Sequence, residues 1–387
     1  MAYALSHPEI REGVVRLCET FDGAYWRTCD RERAYPSAFV KALTEAGYLS
    51  ALIPDAYGGL GLPLSAGAAI LEEIHRSGGN AAACHAQMYT MGTILRHGSP
   101  AQKAAYLPAI ADGTLRLQAF GVTEPTSGTD TTALRTTATK SADGNTYLIN
   151  GQKIWTSRAE HSDLLLLLAR TTPRADVEKR TAGLSVFLVD MREVRGSSLT
   201  IRPIRTMMNH GTTELFFDDM PVPATNLIGE EGKGFNYILS GMNAERILIA
   251  AECIGDAKWF INKARRYASE RTVFSRPIGQ NQGIQFPIAK AYAEMRAAEL
   301  VLNEAIRLYD AGGNPGEEAN IAKMLAADAA WVAAEACLQT HGGFGFAEDF
   351  DVERKYRETR LYQVAPISTN LVLSYIAEHV LDMPRSY

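Results

Sequence analysis

Two short runs hold residue types that suit the binding of a flat polar ring: Phe120–Asp130 (FGVTEPTSGTD) and Asn150–Ser157 (NGQKIWTS). The first carries Thr and Ser hydroxyls on a turn hinged at Gly128, where the backbone can approach a polar ligand closely. The second sets Trp155 two residues before Ser157, so in an extended segment both side chains leave the same side. An aromatic face beside a hydroxyl suits a heterocycle that is stacked on one face and hydrogen-bonded at its edge. Each run alone also reads as ordinary structure, because T-S-G-T is a common turn and a single Trp is more often core than ligand wall.

Three further stretches carry chemistry. In Met242–Ala251 (MNAERILIAA), Glu245 precedes an apolar run that implies a buried helix, and burial raises a carboxyl toward the range of a general base. The competing role is a structural ion pair, although the adjacent Arg246 points about 100° away around a helix. Arg271, in Glu270–Phe274 (ERTVF), offers a planar donor fork that matches a pyrophosphate; a surface ion pair would use it equally. Gly342 and Gly343, in QTHGGFGF, permit close backbone approach and could also cap a helix.

The elements that must position these residues follow from the hydrophobic period. From Glu9 to about Leu117 apolar residues recur at helical spacing, broken by turn signals at 54–63 and 78–80. After Gln118 come short strands at 147–149, 164–168, 184–189, 199–204 and 214–217, separated by Gly, Asp, Asn and Pro clusters. Beyond Gly229–Gly234 long helices return, over 236–269, 286–310 and 320–339. The order predicts an α+β chain, mainly α, with a small sheet domain between helical halves. The Ala-rich stretch 326–336 implies helices that approach closely.

Composition narrows the classes. With 387 residues, the chain is long enough for two or three packed units. Acidic residues number 44 against 39 basic ones, and no dense Lys/Arg block occurs, which argues against nucleic acid. The five cysteines are odd in number, scattered and without metal-ligand spacing, so reduced thiols in the cytoplasm and no metal are expected. The opening residues MAYALSHPEI lack the pattern of an export or organelle signal, and the apolar stretch Leu164–Ala169 is far too short to span a bilayer.

In this order and spacing, the Phe120–Asp130 and Asn150–Ser157 runs resemble the acyl-CoA dehydrogenase family, and the resemblance covers nearly the whole chain. It implies an N-terminal helical domain (1–118), a middle small β domain (119–228) and a C-terminal four-helix bundle (229–387). It also implies FAD, whose isoalloxazine would lie against Phe120, Val122, Thr123, Trp155 and Ser157, with Gly128 and Thr129 near the flavin and the substrate phosphates. Ser157 stands where Thr is common and keeps the hydroxyl for the ring edge. Arg271, Phe274 and Gln282 match a segment that in this family reaches a neighbouring subunit's FAD. Gln339, Gly343, Ser368 and Asn370 match further cofactor contacts.

One departure matters for mechanism. In many members the segment matching Ala365–Ser368 reads Tyr-Glu-Gly-Thr, and its Glu takes the α-proton of the thioester; here that position is Pro366, which cannot be a base. The isovaleryl-CoA and long-chain branches instead draw the base from a helix just before an Arg, and Glu245-Arg246 matches them, with Asn243 and Arg246 toward the active-site helix and the CoA pantetheine. The family also holds the substrate carbonyl with the N–H at the position of Pro366, and proline has none. Loss of one such donor costs on the order of a hundredfold in rate. Either Ile367 N–H takes over, or the carbonyl is bound otherwise, or the reaction has changed.

The resemblance thus implies α,β-dehydrogenation of an acyl-CoA, with Glu245 taking the α-proton and the β-hydride passing to flavin N5. It further implies electron transfer to an electron-transfer flavoprotein and a homotetramer built as a dimer of dimers. Ala365 and Pro366 leave room for a branched or bulky acyl group. Two other classes stay open: a flavoenzyme of the same fold with altered chemistry, such as a monooxygenase or acyl-CoA lyase, and a non-catalytic protein that binds FAD or acyl-CoA.

Overall fold

The structure, a computed structural model, describes residues 6–386, so the first residues of the expected leaderless start lie outside it. The chain forms two compact units: one comprises the residues up to Pro36, Leu62–Ala81 and the chain from Asn243 onward, the other Ser37–Gly61 and Ala82–Met242. In chain order the first six helices are α1 (Pro8–Cys18), α2 (Gly23–Glu32), α3 (Ser37–Glu45), α4 (Leu64–Arg76), α5 (Ala86–His97) and α6 (Pro100–Asp112). Helix α6 starts at a capping box made by Ser99 and Gln102 and ends at Gly113 with φ +81°, the left-handed C-cap that glycine favours.

The second unit is organised by one sheet of strands β1 (Leu117–Gly121), β2 (Thr137–Lys140), β3 (Thr146–Ser157), β4 (Leu164–Arg170), β5 (Leu184–Asp190), β6 (Leu199–Pro203), β7 (Thr212–Pro223) and β8 (Leu227–Ile228). A one-turn helix, α7 (Met191–Val194), follows β5. The sheet order is β6-β7-β3-β2-β4-β5-β8, and β1 joins β4 in parallel. Leu164, Leu166 and Leu168 enter a core with Ile94, Leu107 and Ile110 of α5 and α6, whereas Leu165, Leu167 and Ala169 enter a second core with Tyr147, Phe187 and Leu215. Burial on both faces explains why β4 reads as an unbroken apolar run. The long pair β3–β7 shifts register twice, between Ile149 and Gly151 and between Lys153 and Thr156.

The first unit is helical. It holds α1, α2, α4, the long helix α8 (Gly234–Glu270) from Asn243 onward, α9 (Gln282–Asp310), α10 (Gly316–His341), α11 (Val352–Thr359) and α12 (Thr369–His379). A hairpin of β9 (Thr272–Val273) and β10 (Arg276–Pro277) follows α8. Buried alanines 319, 322, 326, 330, 333 and 334 let α10 lie close against α9, as the composition implied. Polar side chains in this core are paired. Asp256 of α8 accepts from His75 of α4 at 2.9 Å, from the Thr359 hydroxyl at 2.8 Å, and pairs with Lys355 at 2.5 Å. Among the described residues, no helix is long and apolar enough to cross a membrane.

Candidate active site

In the sheet unit the two informative runs are stitched together. Ile154 N–H donates to the Thr123 carbonyl at 2.9 Å, and the Lys153 ammonium donates to the Val122 carbonyl at 2.9 Å. Lys153, fully buried, also pairs with Glu124 at 2.9 Å. The Glu124 carboxylate further accepts from the Arg135 and Thr136 backbone N–H groups and the Thr136 hydroxyl, at 2.6, 2.9 and 2.6 Å. Burial alone would push the Glu124 carboxyl up, but the ammonium and these donors hold it below the usual carboxylate range. Neither Glu124 nor Lys153 stood out in the sequence, because nothing in their local types shows that they meet.

Around this brace, Phe120, Val122 and Thr123 are half-buried, and Phe120 and Val122 also touch the α5–α6 core. A side chain added at Gly128 would meet nothing within 4 Å, and Thr129 is exposed. Trp155 corrects the expectation from simple alternation: its φ is +63°, β3 changes register there, and the indole is 57% exposed. Trp155 and Ser157 are therefore not related by a regular pleat; a left-handed residue sets the direction of the indole. Gly151, at φ +143°, lies where a Cβ would sit 2.7 Å from the Thr136 Cα. Only glycine fits that bulge.

Ser157 ends β3, and its hydroxyl lies 2.7 Å from His210 Nε2. The loop that carries His210 is clamped by Arg158, whose N–H donates to the Gly211 carbonyl at 2.8 Å and whose Nη2 donates to the Asn209 carbonyl at 2.7 Å. Nothing in the local sequence singles out His210. Burial, with Arg158 and His85 adding to it, pulls its imidazole down to about 3, so the ring is neutral.

In the helical unit, Glu245 is 7% exposed on α8, followed by the fully buried Ile247 and Leu248, so the expectation of a buried carboxyl holds. Arg246 is half-buried and donates to Asn243 Oδ1 at 2.9 Å. Burial pulls its guanidinium below the usual arginine range, with Glu245 opposing. The loop bearing Pro366 is tied down at both ends by Lys323, which donates to the Tyr362 and Ile367 carbonyls at 2.7 and 2.8 Å. Tyr362 in turn donates to Glu252, two turns beyond Glu245 on α8, at 2.9 Å. The Ala365–Pro366 peptide is cis. Ser368 caps α12 by accepting from Leu371 N–H, and Asn370 is exposed in its first turn.

The β9–β10 hairpin turns through Phe274 and Ser275, both at positive φ, and presents Phe274 96% exposed. Arg271 forms no ion pair among the described residues; its guanidinium lies 5.7 Å from the Phe344 ring centre. Gln282 is exposed in the first turn of α9 and Gln339 in the last turn of α10. Gly342 caps α10 at φ +56°, and a side chain at Gly342 or Gly343 would meet nothing within 4 Å, so the pair both ends the helix and leaves its backbone open. Within the sheet unit, an exposed indole and a half-buried hydroxyl suit a flat heterocycle; within the helical unit, an exposed guanidinium and open glycines suit an anion.

Family models for the acyl-CoA dehydrogenase N-terminal, middle and C-terminal domains match residues 6–114, 119–220 and 232–381. The acyl-CoA dehydrogenase fadE12 of Mycobacterium bovis is 31% identical over 381 residues, covering 98% of this chain and 96% of that one. The chain belongs to the acyl-CoA dehydrogenase family. A cyclohex-1-ene-1-carbonyl-CoA dehydrogenase from Syntrophus aciditrophicus is 35% identical over 360 residues, covering 92% of this chain and 84% of the relative. The solved glutaryl-coenzyme A dehydrogenase in complex with glutaryl-CoA superposes with a TM-score of 0.91 at 29% identity, covering 100% of this chain and 98% of that one. The chain is thus an oxidoreductase with the three-domain acyl-CoA dehydrogenase fold, its cofactor is FAD, and its substrate class is acyl-CoA.

Proposed function

We propose that this dehydrogenase introduces an α,β double bond into a branched or bulky acyl-CoA, with Glu245 as the base. The observation that carries this reading is the pairing of a buried carboxyl at Glu245 with a proline at position 366, where no base can stand. A carboxylate fixed on a buried helix and largely out of water is the kind of group that can take a proton from the α-carbon of a thioester. Bound FAD supplies the two-electron acceptor for the β-hydride. Arg246, held by Asn243, keeps a cation beside the carboxylate and lies with Asn243 toward the pantetheine arm.

Phe120, Val122, Thr123, Trp155 and Ser157 seat the flavin ring, Gly128 and Thr129 lie toward the flavin and the substrate phosphates, and Gln339, Gly343, Ser368 and Asn370 complete the cofactor contacts. Arg271, Phe274 and Gln282 serve the FAD of a neighbouring subunit. A phenylalanine left 96% exposed on a hairpin tip supports that reading, since burial of such a ring stabilises by roughly 2 kcal/mol. The assembly proposed is a homotetramer of chains with domains at 1–118, 119–228 and 229–387, reduced by substrate and reoxidised by an electron-transfer flavoprotein in the cytoplasm. The five buried free thiols are compatible with that compartment.

The small residues Ala365 and Pro366 support a wide acyl pocket, and the Syntrophus relative is named for a ring-bearing acyl group. Anaerobic titration of the holoenzyme with straight, branched and cyclic acyl-CoA thioesters tests the reading. Bleaching of the flavin by branched or cyclic thioesters at lower concentration than by straight ones supports it; bleaching by none refutes it. Pro366 also favours a second reading, an oxygen-using or lyase chemistry on the same fold. Stoichiometric oxygen consumption, or turnover without any electron acceptor, would establish that instead.

A further inference from the structure

Ser157 carries two possible hydrogen bonds with opposite consequences. A hydroxyl donates once and accepts twice, so if it donates to His210 it can only accept from a bound ring, and if it accepts from His210 its own proton is free to point outward. The partner decides which. His210 is 7% exposed, neutral, and has one N–H to place on either nitrogen. Nε2 lies 2.7 Å from the Ser157 hydroxyl, while Nδ1 is buried with no hydrogen-bond partner among the described residues.

The two tautomers differ in what is left unmade. A proton on Nδ1 would strand a buried N–H donor, the rarer and costlier orphan. A proton on Nε2 leaves only a lone pair unmade at Nδ1, the lesser of the two losses. Two bonds from Arg158 hold the loop that bears His210, to the Gly211 and Asn209 carbonyls.

We propose that His210 is a positioning residue that donates through Nε2–H to the Ser157 hydroxyl and so commits that hydroxyl as a one-way hydrogen-bond donor toward the bound flavin. The inference rests on the proposed seat of the flavin ring beside Ser157. A donor at the ring edge interacts more strongly with the electron-rich reduced ring than with the oxidised one. His210 thereby favours reduction without touching the cofactor, and the partnerless Nδ1 holds it in the one tautomer that can do so.

The test uses purified holoenzyme and reads the flavin midpoint potential and visible spectrum for the wild type, Ser157→Ala, His210→Leu, His210→Gln and the double variant His210→Leu/Ser157→Ala. The expected result is that Ser157→Ala weakens the preference for reduced flavin about tenfold, a shift of about 30 mV for a two-electron couple. His210→Leu shifts the potential the same way, the double variant moves no further than Ser157→Ala, and His210→Gln, whose amide can donate from the same place, restores at least half of the shift. If Ser157→Ala moves neither potential nor spectrum, the seat of the ring is wrong. If Ser157→Ala shifts the potential but His210→Leu does not, or adds to it independently, the seat stands and the role of His210 is overturned. Should His210→Leu fail to fold, 15N shifts of histidine-labelled holoenzyme, with the His210 signal assigned by its loss in His210→Gln, decide the matter. An Nε2-protonated ring supports the inference, and an Nδ1-protonated or charged ring overturns it.

Discussion

Replacement of Lys153 by methionine isolates the brace between the two runs proposed to seat the flavin. The substitution keeps the length of the apolar stem but removes the ammonium that pairs with Glu124 and donates to the Val122 carbonyl, both at 2.9 Å. Removal of one partner of a buried pair costs about 3–5 kcal/mol, because the other charge stays buried without compensation. Glu124 would retain its three bonds from Arg135 and Thr136, which places Lys153→Met near the lower end, about 3 kcal/mol. For a folding unit of this size that corresponds to a fall in melting temperature of roughly 6–12 °C. Differential scanning calorimetry of the holoenzyme measures it, with bound FAD quantified from absorbance, and FAD occupancy should fall as Val122 loses its anchor. Neutralising the stranded carboxyl as well, in Lys153→Met/Glu124→Gln, should recover at least half of the lost stability. A fall below 2 °C in the single variant, or a double variant no more stable than the single, would refute the reasoning.

Three other outcomes follow from the same physics. Asp256, which Lys355 and His75 hold down at about 2 against burial, has a folded pKa below its ordinary 3.8; its stabilisation is present above the ordinary value and is lost as pH falls toward 2. Equilibrium unfolding of Asp256→Asn should show a stability loss of about 3–5 kcal/mol at neutral pH and a shallower fall than wild type between roughly pH 5 and pH 2; parallel pH curves would contradict this. Gly151→Ala should destabilise the sheet unit by about 2 kcal/mol or more through its φ of +143° and the 2.7 Å approach to Thr136, and an unchanged melting temperature would show that the bulge relaxes. Arg271→Ala should lose FAD on gel filtration while the apoprotein melts within about 1 °C of wild type, because the side chain is exposed and, among the described residues, its one contact is the face of the equally exposed Phe344 ring; full FAD loading would remove it from the proposed phosphate site.

The hydrophobic period made the elements legible. The alternating and continuous apolar runs became strands close to where they were expected, and the Ala-rich stretch became the closely packed α10. Glu245 was readable because the signal is local: a carboxyl two residues before an apolar helical run, Ile247–Ala251, lies on a helix that the run itself draws into the core. Trp155 was misread geometrically, because alternation assumes a pleat and one residue at positive φ re-aims everything after it. Glu124, Lys153 and His210 were invisible for a different reason. Their roles depend on partners 29 and 53 residues away in sequence, brought together only by the β3–β7 pairing and the turn after β1. Local types cannot report a bond whose other half is set by sheet register.

The central claim is that Glu245 removes the α-proton. Rapid mixing of acyl-CoA with anaerobic, FAD-loaded wild type and Glu245→Gln, with flavin absorbance followed in a single turnover, tests it most directly. Glu245→Gln should retain FAD and bind the thioester but reduce its flavin at least 10³-fold more slowly, the upper part of the range that a positioned general base contributes. Flavin reduction in Glu245→Gln at a rate within tenfold of wild type would contradict it.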